Sequence, residues 1–114
     1  MKTAKRKTGD EGEDVACTWL TAHGYKIIGR NVSNAYGEID IIGKKANVIH
    51  YIEVKTRKND RFGAGIEAVA SHKLEKFLRC AQSIANTNFP NLPMCVDAIS
   101  IDGDMIRFFE NITL

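Results

Sequence analysis

The chain has few of the features that usually identify a function. No apolar run approaches the roughly 20 residues needed to cross a bilayer, so no membrane-spanning helix is expected. The basic residues near Met1 are not followed by the apolar segment of a secretory signal, and a cytoplasmic protein is expected. Cysteine is scarce: Cys17, Cys80 and Cys95 are odd in number, far apart and never in a C-x-x-C, which speaks against a disulfide framework and against a zinc site. His23, His50 and His72 show no H-x-x-x-H spacing, which excludes a helical zinc pair. Gly63-Ala64-Gly65 lacks the G-x-x-x-x-G-K-[ST] setting of a phosphate cradle and reads as a flexible loop. No serine lies in G-x-S-x-G, so a serine hydrolase is not supported.

What remains is the balance of an ordinary globular chain: 114 residues, 44% hydrophobic and 26% charged. That length supports one domain, residues 1–114, with residues 1–8 read as a basic flexible tail. A net charge of +2 says little about partners, but its distribution says more. Lys2, Lys5, Arg6 and Lys7 crowd the start with no acid among them, and read equally well as a solvated tail or as a nucleic-acid contact. Lys55, Arg57, Lys58 and Arg61, opposed only by Asp60, follow a strand that holds an acid, which favours contact with phosphates.

Along the chain, Val15, Ala16, Trp19 and Leu20 recur at helical spacing, predicting a helix from near Asp10 to His23 with Gly24 as its stop. Tyr25 to Asn31 reads as a strand. Gly37 to Gly43 and Asn47 to Thr56 read as an antiparallel hairpin joined by Lys44-Lys45-Ala46-Asn47. A second helix is predicted from an N-cap at Ser71 to about Asn86, burying Leu74, Phe77, Leu78, Ala81, Ile84 and Ala85. Both prolines fall in the turn that follows, and Cys95 to Ile101 with Met105 to Phe109 form a hairpin around Asp102-Gly103. The fold class is α/β, a mixed sheet in the order helix, three strands, helix, two strands.

The central hairpin carries acids where apolar residues belong. Asp40 lies within Ile39-Asp40-Ile41-Ile42, and Glu53 and Lys55 lie within Ile52-Glu53-Val54-Lys55. Carboxylates among buried neighbours are costly without a compensating cation. Strand alternation puts Glu38 and Asp40 on one face, and Glu53 and Lys55 on one face. With Gly43 paired to Val48, Asp40 lies opposite Tyr51 and diagonal to Glu53, about 7–8 Å away on a sheet face. Asp40 and Glu53 are then the candidate ligands of magnesium, with manganese as substitute, and Lys55 the residue that orients water or offsets developing charge. The competing reading is a salt-bridge ladder on a solvated sheet, which the flanking isoleucines and valines disfavour. Glu13, near the edge of the first helix's apolar stripe, reads from position alone as an ordinary acid of a helix's first turns.

Asp40 followed by Glu53-Val54-Lys55 resembles the signature of the PD-(D/E)XK nuclease superfamily, with Ile39 in place of the usual proline. The set Gly12-Glu13-Asp14-x-Ala16, Gly24-Tyr25, Arg30-Asn31, Gly37-Glu38-Ile39-Asp40, Val54-Lys55-Thr56-Arg57, Ala68-Val69 with Lys73, and Asp97 is similar to the YraN-type family of small uncharacterised bacterial proteins. That resemblance implies a restriction-endonuclease-like core akin to the archaeal Holliday-junction resolvases. It implies catalytic roles for Asp40, Glu53, Lys55 and Glu13 and metal at Asp40 and Glu53; beside it, the basic residues Arg57, Lys58, Arg61 and Lys73 are the candidate nucleic-acid contacts. One departure is Cys95-Val96 where the family usually has Arg-Phe. The implied activity is hydrolysis of DNA phosphodiesters, branched or single-stranded, by a protein that pairs as a homodimer. The alternative is a non-catalytic nucleic-acid-binding module with a vestigial site, serving repair, recombination or uptake as a scaffold.

Overall fold

A computed structural model describes residues 4–57 and 73–112, and side chains for 11–56 and 74–112. The expected Ser71 cap, the Gly63-Ala64-Gly65 loop, Ala68-Val69, and the side chains of Arg57, Lys58, Arg61 and Lys73 lie outside the described residues, as do those of the basic start. Helix α1 spans Ala4–Ala22, followed by β1 (Lys26–Asn34), β2 (Gly37–Lys45), β3 (Val48–Arg57), α2 (Lys73–Asn88), β4 (Met94–Asp102) and β5 (Met105–Phe109). This is the expected order in a mixed α/β arrangement.

The first helix begins well before Asp10, so residues 4–8 of the expected tail are helical. Alanine, lysine and arginine are strong helix formers, and one interior glycine at Gly9 costs only about 1 kcal/mol. Its end matches expectation. Gly24 adopts a φ of 91°, and the Gly24 and Tyr25 N–H groups donate to the Thr21 and Leu20 carbonyls, a Schellman stop.

The strands lie in the order β1-β2-β3-β4-β5, antiparallel except for the β3–β4 pair. The chain between those two parallel strands includes α2, as a parallel connection requires. The central hairpin is tighter than the expected four-residue connector. Ala46 and Asn47 both have positive φ, 52° and 63°, which is the backbone of a two-residue type I′ turn. Lys45 therefore pairs with Val48 and Gly43 with His50, so the Gly43–Val48 register is corrected by two residues. An even shift leaves each side chain on its face. The β4–β5 turn likewise sits one residue later than expected, with Gly103-Asp104 between the paired Asp102 and Met105.

The sheet is covered on both faces. Against α2, Phe77, Cys80, Ala81, Ile84 and Ala85 pack on Ile39, Ile42, Ile49, Tyr51 and Val96. Against α1, Ala16 and Leu20 pack on Ile41, Ile52, Ile99 and Ile101. Val15 departs from its expected place in the stripe, being 43% exposed. The inward face of α1 is instead Gly12, Glu13, Ala16 and Leu20, which turns Glu13 towards the sheet.

Gly12 lets α1 lie against β3 at Thr56. A Cβ built there would overlap Thr56 Oγ1. Gly12→Ala should destabilise the protein by about 1–3 kcal/mol through overpacking, and Thr56→Ala in the same chain should recover most of that loss, as read by urea unfolding.

Candidate functional site

The β2–β3 ladder ends at the Ile41–Ile52 pair, and Asp40 and Glu53 are the next residues on their strands. There β2 leaves regular alternation. Ile39 belongs to the core under α2 whereas Ile41, two residues on, belongs to the core under α1. On β1, Asn31 takes a left-handed φ of 53°. Where the ladder stops, a side chain substitutes for the missing backbone partner: Asp40 Oδ2 accepts the Val54 N–H at 2.8 Å.

Three further groups gather around this opening. Glu53 Oε1 pairs with Lys55 Nζ at 3.1 Å, and both side chains are largely covered. Glu53 Oε2 is buried without a hydrogen-bond partner. From α1 comes Glu13, buried, with its Oε1 3.5 Å from Arg30 Nη2 but not hydrogen-bonded. Arg30 makes its shorter contact, 2.8 Å, to the exposed Asp14. Strand parity sets Glu53 and Lys55 on the side of Ile49 and Tyr51, whereas Glu13 comes from the opposite layer. The parting of the strands, rather than a shared sheet face, is what exposes Asp40 to both.

The electrostatics follow. Burial pushes the Asp40 carboxyl up to about 7, the Val54 hydrogen bond opposes this, and the charges of Glu13, Glu53 and Glu38 add to it. Because α1 starts at Ala4, Glu13 lies well inside the helix, so the stabilisation of acids in a first turn does not account for it. An unpartnered carboxylate oxygen at Glu53 and an Asp40 whose carboxyl is raised first by burial and then by neighbouring acids form a set of hard oxygen donors. No three of these acids bring oxygens within 4.8 Å of one another among the described residues. Asp40 and Glu53 suit magnesium, which takes one or two carboxylates and keeps several waters.

The structure therefore brings Glu13, Asp40, Glu53 and Lys55 to one end of the sheet. Sequence reading missed two features. One is Arg30 as the counter-charge of Glu13 and Asp14, which could be seen only once β1 was placed beside α1. The other lies further back along β3, where His50 pairs with Cys95 across the parallel strands. There His50 Nδ1 lies 2.6 Å from Asp97 Oδ2, the Cys95 thiol donates to Asp97 Oδ1 at 3.1 Å, and the Asn111 N–H donates to the same oxygen at 2.8 Å. Burial, then the neighbouring Asp97, pushes the Cys95 thiol up to about 12. Cys95 and Asp97 are two apart on one strand, but a local spacing motif does not detect a His50 that joins them only across strands.

Comparison with known proteins agrees with the resemblance to the YraN-type family. The model of the uncharacterised protein family UPF0102, the YraN-like family, matches residues 12–101. A UPF0102 protein of Fusobacterium nucleatum is 40% identical over 108 residues, covering 94% of this chain and 91% of that protein. One from Wolinella succinogenes is 38% identical, covering 96% and 98%, and one from Campylobacter jejuni is 40% identical, covering 90% and 89%.

The raised Asp40 carboxyl has a definite pH signature. Its folded pKa, about 7, lies above the ordinary 3.8, so its contribution is fully present below pH 3.8 and is lost as pH rises through 7. Asp40→Asn should therefore gain stability relative to the parent across that window, by at most about 4 kcal/mol, in urea unfolding at stepped pH. Added magnesium should shrink the difference.

Proposed function

We propose that this chain, which belongs to the uncharacterised protein family UPF0102, is a magnesium-dependent hydrolase of DNA phosphodiesters. The observation that carries this reading is Asp40, which joins β2 to β3 through the Val54 N–H while feeling the charges of Glu13 and of Glu53, one oxygen of which is buried with no hydrogen-bond partner. Asp40 and Glu53 are the residues that would hold the metal. Bound there, magnesium supplies a water of lowered pKa and offsets charge on the phosphoryl oxygens. Lys55, 3.1 Å from Glu53, orients the attacking water or donates to a phosphoryl oxygen as negative charge builds. Glu13, kept at the opening by Arg30, completes the acidic surround. Phosphate contacts fall to Arg57, Lys58, Arg61 and Lys73, which follow the Glu53 strand or begin α2 in the sequence.

A second reading has its own support. Lys55 and Arg30 already lie against Glu53 and Glu13, which balances two of the carboxylates without a metal, as a vestigial site in a DNA-binding scaffold would. Labelled single-stranded, duplex and four-way-junction DNA, each with magnesium, manganese or EDTA, separates the two. Hydrolysis should require the metal and fall at least about 100-fold in Asp40→Asn and Lys55→Ala. Binding without metal-dependent cutting on every substrate would favour the scaffold, and cutting retained in both variants would exclude this site.

A further inference from the structure

We propose that His50, Cys95 and Asp97 form a second cation site, of zinc type, separate from the acids at the β2–β3 opening. Nδ1 of His50, Sγ of Cys95 and a carboxylate oxygen of Asp97 all lie within 4.8 Å of one another. Their measured contacts begin at 2.6 and 3.1 Å. Bonds of about 2.0–2.3 Å to nitrogen, oxygen and sulfur place the donors of one tetrahedral zinc roughly 3–4 Å apart. The two spacings lie at or just below the short end of that range, so a cation entering between the donors requires the side chains to spread by an ångström or so.

The surroundings are built to hold those donors. Asp97 is fully buried and His50 nearly so. The Tyr25 ring meets the His50 ring edge-on at 5.0 Å, which limits its rotation. Asp97 Oδ1 accepts the Asn111 N–H, so one carboxylate oxygen is anchored by backbone while Oδ2 faces the imidazole. Glu110 bears electrostatically on Cys95 and accepts the Tyr25 hydroxyl at 3.5 Å, which holds the Tyr25 ring against His50. Without a cation, the protons on Cys95 and His50 hold the cluster together. A zinc ion would displace the thiol proton to solvent and move the imidazole proton from Nδ1 to Nε2, then bind the thiolate, the freed Nδ1 and the carboxylate.

Donor chemistry also separates this cluster from the proposed hydrolytic site. Imidazole with thiolate suits zinc, whereas magnesium takes oxygen ligands. His50 precedes Glu53 by three positions on β3, about 10 Å along the strand. The opposite strand parity of His50 and Glu53 places them on different faces.

The test uses the full chain, stripped of metal and titrated with zinc alone by calorimetry, and with cobalt(II) by absorption spectroscopy. One zinc per chain and a thiolate-to-cobalt charge-transfer band are expected. Cys95→Ser and His50→Gln should each weaken zinc binding by more than the about 10–100-fold typical of losing an outer partner, and Cys95→Ser should abolish the band. Asp40→Asn and Cys17→Ser should retain both signals. Circular dichroism identifies the folded variants. The proposal is overturned if the parent shows no thiolate band, or if either folded variant keeps parental zinc affinity.

Discussion

A single hydrogen bond, from the Val54 N–H to the Asp40 carboxylate, replaces a rung of backbone pairing where β2 and β3 separate. Were the ladder continued, Asp40 and Glu53 would face one another as ordinary paired residues with no opening between them. Instead the strands part, an acid bridges them, and the neighbouring groups from α1 and β3 meet around the gap. A buried carboxylate with one backbone donor is still poorly compensated, and that deficit is why Asp40 is pushed towards neutrality. The close approach of Gly12 to Thr56 serves the same end, because it draws α1 onto the end of β3 and brings Glu13 inward.

The sheet thus carries two polar clusters of different character. At the opening, hard oxygen donors outnumber the cations that face them. Further back along β3, an imidazole and a thiol share one buried carboxylate, which is satisfied by three donors. Asp97 also ties the last described turn to the sheet, since the Asn111 N–H reaches it and the Ile112 N–H reaches the Val96 carbonyl.

Much of the architecture could be read from periodicity, because a buried stripe in a helix and a two-sided apolar strand leave strong patterns. The α2 face through Phe77, Ala81, Ile84 and Ala85 is an example, and Gly24 as the helix stop is another. Register could not be read so closely. Whether Lys44 to Asn47 or only Ala46-Asn47 forms the turn depends on two left-handed residues that are neither glycine. An even slip kept Asp40 and Glu53 close in spite of this. Glu13 was ambiguous because an acid early in a helix has an ordinary explanation, which the longer helix then removed. The His50–Cys95–Asp97 cluster was hidden for a different reason: Cys95 and Asp97 lie two apart on one strand, but His50 joins them only through the parallel pairing of β3 with β4.

That parallel pairing also bears on how the molecule forms. The β1–β2–β3 meander and the β4–β5 hairpin join residues near in sequence, whereas β3 and β4 bring position 49 against position 94. Closing so long a stretch of chain sacrifices entropy before any contact repays it, so the seam is expected to be the slow event of folding. Until it zips, β3 and β4 each present a bare isoleucine-rich edge, and self-association competes with completion of the sheet.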